Sequence, residues 1–578
     1  MKGGAAAAVV IPFIGAILGG MIATQYLAAS LGYHPVLGKP LLWHLYPPWG
    51  FVVWRFFVRA PSPLFLEALS LFGGVSFLGI GVAKAILYRS RRDIPHPDLH
   101  GSARFATIEE IAETGLLNDD LGRCGIYLGK VYDRRGREHY LRHSGPEHAI
   151  VFAPTRAGKG ISIVIPTALS WTKSLVCLDI KGELHELTSD HRRDALANTI
   201  YRIDLTDATG TSSRYNPLTE VRLGTIQEQS DVENILCMLI DRDVEGSQKF
   251  WNSGGFNWLV GVTLFTLYEE RSRGQQATMS QVAWNLSSPD RPLDKLIKEM
   301  TENRFGENST PHKRIALSAQ SMANVRSDET RTGLHSTAES AMGIFLESMI
   351  AQSMSASDFQ VRDLMNQEFP ATLYIVIRPS DLNRLMPIAR IIINQIIQLN
   401  TESMSAKEKH YRHEMLLLLD EFPALGRVPV FEKALGYIAG YGLRTLIIAQ
   451  DRSQIIAHYG KNETIIPNCH IRVCFAPNEL ETAKWISDMT GVATVLAANA
   501  QISGKRASAM LESVSTSIQE VRRPLMTPDE VMKLPGARKD GDGRVLAGGE
   551  LLVFVAGRSP IRARQMVYWE MGVGCLTG

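Results

Sequence analysis

The chain has 578 residues, 45% hydrophobic and 21% charged, with 61 Lys and Arg against 59 Asp and Glu. Such a length predicts several domains, and the apolar share excludes a disordered chain. A formal charge of +2 excludes a generic polycation, so any nucleic acid must be held by a local patch. Six cysteines without a C-x-x-C pair exclude a disulfide framework and a zinc ribbon, and they fit a reducing compartment.

From Gly3 to Tyr33 there is no Asp, Glu, Lys or Arg, a stretch longer than the roughly 20 residues that cross a bilayer. A second apolar run, Leu64 to Leu87, carries Glu67 and Lys84 near its ends, where such side chains reach the headgroups. Trp43, Tyr46, Trp49 and Trp54 between the runs suit a membrane interface, and the basic YRSRR (88–92) places both termini on the cytoplasmic side. A cleaved signal peptide is the alternative, but the first run lacks a clean small-residue cleavage site. Residues 1–92 therefore read as an anchor with spans at about 5–29 and 64–87.

After His148 an apolar strand, a glycine loop, a helical run, the strand SLVCLDI and a helix at GELHEL follow in order, the pattern of βαβ units on a parallel sheet. The alternation stops near YNPL (215–218), and residues 221–354 show helical periodicity. Strands resume at 371–377, 415–420, 443–450, 470–475 and 550–556. A helical domain inserted into one open sheet explains this order. The Ser- and Ala-rich stretch 497–524, with Lys505, Arg506, Arg522 and Arg523, reads as a mobile loop or hairpin.

The loop APTRAGKGIS (153–162) comes close to G-x-x-x-x-G-K-[ST], but has Ala153 in place of the first glycine and Gly160 in place of the hydroxyl. A phosphate cradle needs successive backbone N–H groups, a permissive glycine and a lysine. Pro154, Thr155, Arg156, Ala157, Gly158, Lys159, Gly160 and Ile161 supply that set, with Lys159 as the phosphate-binding cation. Without a hydroxyl at 160, Mg2+ depends on the nucleotide, water and a carboxylate elsewhere, Ser162 being two positions along. The strand MLLLLDEF ends in Asp420 and Glu421 at a carboxyl end, where open α/β sheets bind ligands. Asp420 is expected to orient Mg2+, Glu421 to polarise the attacking water, and Gln450, ending the next strand, to sense the γ-phosphate of ATP. Asp179 and Lys181 end the strand after the loop's helix and are assigned to the same nucleotide site.

These segments resemble a known family, the TraG-type coupling proteins of type IV secretion. The resemblance rests on HGSARF (100–105), G-K-G, DIKGEL (179–184), YNPL, SDF (357–359), L-L-D-E-F (418–422), GYGLRTLIIAQ (440–450), ETAKWISDMTG (481–491) and RRPLMTPDEV (522–531), and G-K-G is usual in that family. It implies an α/β fold: a RecA-like P-loop nucleotide-binding domain (93–220 and 355–578) with an inserted all-α domain (221–354) and the N-terminal two-helix transmembrane anchor. It also implies a homo-hexameric ATP hydrolase of the bacterial inner membrane, its large body cytoplasmic, using ATP and Mg2+. The implied cargo is single-stranded DNA bound to a relaxase, passed to a type IV secretion channel. The same motor recruiting protein effectors, or a nucleotide-dependent scaffold, are the alternatives. Some relatives carry an arginine acting on the neighbouring subunit's nucleotide where this chain has Ala439, so Arg444 or Arg427 is expected to replace it.

Overall fold

A computed structural model describes residues 2–58, 61–90, 101–117, 124–242, 244–306, 309–402, 411–503, 513–541 and 545–570. Arg91 and Arg92 of the basic cluster, His100 and the pair Lys505–Arg506 lie outside the described residues. The chain divides into two units, residues 1–99 with 495–521 and residues 100–494 with 522–578.

In the first unit, two helices of 29 residues, Lys2–Ser30 and Ser62–Ser90, are long and apolar enough to cross a membrane. They run antiparallel, Gly15 facing Gly79 so closely that a Cβ on Gly15 would lie 3.3 Å from the Gly79 Cα. Small residues at a crossing allow that approach. Phe13, Phe77 and Leu78 point outward, while Glu67 accepts a 2.5 Å hydrogen bond from the Tyr26 hydroxyl. Of the interfacial aromatics, Trp43 and Trp49 are exposed, but Tyr46 and Trp54 are buried edge to face, with Trp54 Nε1 donating to the Leu37 carbonyl.

The strands, in chain order, are β1 (Ile126–Tyr132), β2 (Glu138–His143), β3 (His148–Phe152), β4 (Ser174–Asp179), β5 (Thr199–Asp204), β6 (Ala371–Val376), β7 (Met415–Leu419), β8 (Leu443–Ala449), β9 (Cys469–Cys474), β10 (Val492–Ser503), β11 (Ser513–Pro524), β12 (Arg538–Lys539), β13 (Val545–Ala547), β14 (Glu550–Val555) and β15 (Ile561–Arg564). An 11-stranded sheet in the order β2-β1-β15-β14-β9-β3-β8-β7-β4-β6-β5 forms the centre of the second unit. From β9 to β5 every neighbouring pair is parallel. From β9 to β2 every pair is antiparallel, an extension that the sequence pattern did not announce. Of the stretch 497–524, residues 497–503 and 513–524 lie in the two-stranded pair β10-β11, and 504–512 lie outside the described residues.

Strands β3, β4 and β7 are buried along their whole length because they are covered on both faces. Ile150, Phe152, Val176, Leu178 and Leu417 pack on one side with Phe256, Trp258, Ile388 and Ile392. Ala149, Val151, Leu175, Cys177, Leu416 and Leu418 pack on the other with Ile163 and Ala168. A run without polar alternation is what such a strand requires. Cys469 and Cys474 in β9 are fully buried, their thiols pushed upward by burial, and serve as small core residues.

Between β5 and β6, neighbours in the sheet, the described residues form helices and turns without a strand. The longest helix between β5 and β6, Ser247–Ser272, buries Phe256, Trp258 and Leu264, and Trp258 Nε1 donates to His335 Nδ1 at 3.0 Å.

Candidate functional site

The sheet order places β8 between β3 and β7, so the segments leaving these three strands at their carboxyl ends converge. Ala153 is buried and donates its N–H to the Ala449 carbonyl at 2.9 Å. It is not among the described residues with positive φ, so a glycine is unnecessary there. The chain then turns over Pro154–Ala157, with the Ala157 N–H donating to the Pro154 carbonyl and Arg156 at φ 62. Gly158 has φ 93, the left-handed region where a Cβ is costly. From Lys159 the backbone enters a helix that opens as one π turn, Gly160–Val164, and continues as Ile165–Ser170.

Lys159 Nζ hydrogen-bonds Glu421 Oε2 at 3.0 Å and stands 3.0 Å from Asp420 Oδ1. The Glu421 Oε1 atom accepts from Gln450 Nε2 at 2.9 Å. Four groups drawn from three strand ends therefore form one connected cluster. Burial works against the ammonium charge of Lys159, but Asp420 and Glu421 outweigh it and hold its pKa above the ordinary lysine value. Glu421 sits at φ 65 and ψ 49, a strained position for a side chain other than glycine, of the kind found at functional sites.

The hydroxyl question resolves in two parts. Ser162 is buried and its Oγ donates back to the Gly158 carbonyl at 2.8 Å, so it is engaged within the loop. A Cβ at Gly160 would meet nothing within 4 Å, so crowding does not exclude a hydroxyl there. Among the described residues no group of three or more His, Cys, Asp or Glu could hold a metal. The donor set fits Mg2+, which is commonly bound by one or two carboxylates together with substrate phosphates and water.

Two predicted groups stand apart from the cluster. Asp179 is buried and spends both oxygens on backbone, accepting from the N–H groups of Lys181, Gly182 and His185. Burial raises its pKa, with the Asp420 charge adding to the effect. It organises the turn into the helix Glu183–Asp194 and makes no bond to Lys159, while Lys181 is exposed, 3.8 Å from Glu183.

The expectation for Arg444 is corrected. It lies at the amino end of β8, the end away from Gln450, and six residues of strand place it roughly 20 Å from the site. Its guanidinium is buried, paired with Glu414, bonded to the Ser144 carbonyl at 2.7 Å and set over the Trp171 ring. The side chain is engaged within its own chain, away from Lys159, Glu421 and Gln450. Arg427 is exposed, just after the turn Phe422–Leu425 that follows the acidic pair.

The outer wall of the glycine loop comes from the C-terminal segment, which sequence reasoning missed because about 380 residues separate the partners. Gln565 Oε1 lies 3.1 Å, and Ala537 Cβ 3.8 Å, from the position a Gly158 Cβ would take. Lys539 Nζ donates to the Arg156 carbonyl at 3.1 Å.

A parallel sheet whose inner strand feeds a glycine–lysine loop, with an acidic strand end beside it, is the fold of the RecA-like P-loop nucleotide-binding proteins. Plasmid coupling protein TrwB, solved in complex with ADP and Mg2+, superposes with a TM-score of 0.55 at 16% identity, covering 80% of this chain and 94% of that one. Conjugal transfer protein TraG of Escherichia coli is 36% identical over 570 residues, 95% of this chain and 89% of TraG. Protein VirD4 of Rhizobium radiobacter is 28% identical over 533 residues, 90% of this chain and 71% of VirD4. Residues 101–576 match the family described as Type IV secretory system Conjugative DNA transfer, and the chain belongs to that family.

Proposed function

We propose that this chain is a membrane-anchored ATPase that couples single-stranded DNA carrying its relaxase to a type IV secretion channel and drives its transfer. The anchor is residues 1–92, passing twice through the bacterial inner membrane, with the large body in the cytoplasm. Residues 93–220 and 355–578 form the nucleotide-binding domain and 221–354 the all-α domain, six copies assembling into a ring. The antiparallel pair of apolar helices supports the anchor, and the family supports the cargo and the channel.

The observation that carries the reading is the meeting of Lys159, Asp420, Glu421 and Gln450 at adjacent carboxyl strand ends. Backbone N–H groups of residues 154–161, at the start of a helix, cradle the phosphates of ATP. Lys159 transfers its charge from the two carboxylates to the β and γ phosphates. Asp420 would hold Mg2+, which would supply charge neutralisation at the phosphate oxygens. Glu421, released from Lys159, accepts the proton of the water that attacks the γ phosphorus as the bond to ADP breaks. Gln450, already bonded to Glu421, orients that carboxylate and reports the γ-phosphate.

The test is ATP hydrolysis by the detergent-solubilised full chain, with and without single-stranded DNA. DNA is expected to raise the rate and Lys159→Ala to abolish both nucleotide binding and hydrolysis; undiminished turnover in that variant would remove the assignment.

A further inference from the structure

Arg156 occupies the third position of the turn Pro154–Ala157, with φ 62, where glycine is the favoured residue. The peptide that joins Arg156 to Ala157 is held at both ends. Its N–H donates to the Pro154 carbonyl at 3.2 Å, and its C=O accepts from Lys539 Nζ at 3.1 Å. Without the second bond, that peptide could rotate about the ψ of Arg156 and the φ of Ala157, and the loop's remaining amides would lose their common direction.

Lys539 does not dangle from a tail. It belongs to β12, which pairs with β13, and the segment carrying both is bound to the main sheet: the Glu550 N–H donates to the Pro535 carbonyl at 2.7 Å and the Gln565 N–H to the Gly549 carbonyl at 2.8 Å. The contacts are tight enough that a Cβ on Gly549 would fall 2.3 Å from the Pro535 oxygen, and one on Gly548 would fall 2.2 Å from the Gln565 oxygen. Gln565, 2% exposed, presses its Oε1 against Gly158 without a hydrogen-bond donor. The C-terminal segment thus braces the glycine loop at two points, Arg156 and Gly158.

We propose that Lys539 is a positioning residue for the phosphate loop, locking the Arg156–Ala157 peptide from outside so that the loop meets the triphosphate preformed. The proposal rests on the nucleotide reading above. The side chain acts through a backbone carbonyl and touches no phosphate. Its amine is exposed, so the bond is an ordinary solvent-competed one, and losing it is expected to weaken ATP binding by about fivefold.

The experiment is a double-mutant cycle on the detergent-solubilised full chain, read as ATP affinity by titration of a fluorescent ATP analogue and as KM and kcat for hydrolysis. Lys539→Ala is expected to raise Kd and KM together by about fivefold, with the loss in KM far exceeding any change in kcat, and Lys539→Arg to restore both. Arg156→Gly makes the positive φ costless but leaves the carbonyl that Lys539 holds, so Lys539→Ala is expected to cost about the same fivefold in that background. An unchanged Kd in Lys539→Ala overturns the proposal. So does a loss that disappears in the Arg156→Gly background, which would mean that Lys539 only offsets the strain at Arg156 and does not fix the peptide. Lys159→Ala separates the two readings: if it binds nucleotide normally, the site assignment fails, whatever Lys539 does.

Discussion

Replacing Glu421 with Gln should move nucleotide binding and hydrolysis in opposite directions. In the structure the Lys159 ammonium is shared between two carboxylates at 3.0 Å, all three side chains being between 19% and 26% exposed. At an effective dielectric of about 20, each charge pair at that distance is worth about 5 kcal/mol before desolvation, and a charge-assisted hydrogen bond nets about 1–3 kcal/mol. Partial exposure puts the loss of the Glu421 charge near the lower end, about 1.5 kcal/mol. Because Lys159 must leave these acids to reach phosphate, that energy opposes ATP binding in the unaltered chain. Glu421→Gln should therefore tighten ATP binding by about tenfold, while loss of the proton acceptor lowers hydrolysis by roughly a hundredfold to ten-thousandfold. The shape of the site is kept, because the amide can still accept from Lys159 and Gln450 can rotate to meet its NH2. Titration with a fluorescent ATP analogue and a phosphate-release assay on the same preparation measure both quantities. Weaker binding would show that Lys159 and Glu421 are not exchange partners, and wild-type turnover would show that Glu421 is not the acceptor.

Two further outcomes concern the scaffold. Arg192 is fully buried and donates to Thr372 Oγ1, Asn198 Oδ1 and the carbonyls of Ala168, Trp171 and Lys173. Arg192→Met takes the donor from several of those acceptors, although Asn198 Oδ1 keeps the Thr372 hydroxyl, and should cost about 3–5 kcal/mol, lowering the midpoint in scanning fluorimetry by on the order of 10 °C, whereas the exposed neighbour Arg193→Ala should leave it within a degree or two. His148, buried at the start of β3, lies between the Thr445 N–H, which donates to Nδ1, and the Leu435 carbonyl, which accepts from Nε2, and burial lowers its pKa to about 4. The folded chain keeps the ring neutral while the unfolded chain protonates near pH 6.5, so this stability is complete above pH 6.5 and lost as pH falls toward 4, about 3 kcal/mol in all. Unfolding midpoints from pH 7.5 to 4.5 should fall less steeply in His148→Gln; an identical slope would refute the assignment.

What the sequence made legible follows from how strongly each position is constrained. Strands β3, β4, β7 and β8 are buried on both faces, so their residues form unbroken apolar runs, and the polar groups that end them stand out sharply. That contrast is why Lys159, Asp420, Glu421 and Gln450 could be assembled before any geometry. β5, partly exposed along TIYR, and β1, kinked where the register shifts between Tyr127 and Gly129, lack that contrast and were not read as strands. β14 was legible as a strand at 550–556, but its antiparallel pairing with β15 was not, because pairing between strands is not written into either one alone. The bracing of Arg156 and Gly158 by Lys539 and Gln565 was invisible for the same reason.

Arg444 and Gln450 show where pattern reading stops. Both lie on one motif, GYGLRTLIIAQ, and a motif read as a string offers both to the nucleotide. A strand has two ends about 20 Å apart, and only its carboxyl end faces the loop after β3. At the other end Arg444 meets Glu414, Ser144 and Trp171, which lock β8 to the residues preceding β7 and β3. Charge at the amino ends of the strands therefore fixes the register of β8, and the register of β8 puts Gln450 beside Glu421. Arg444 bears on the site through that alignment.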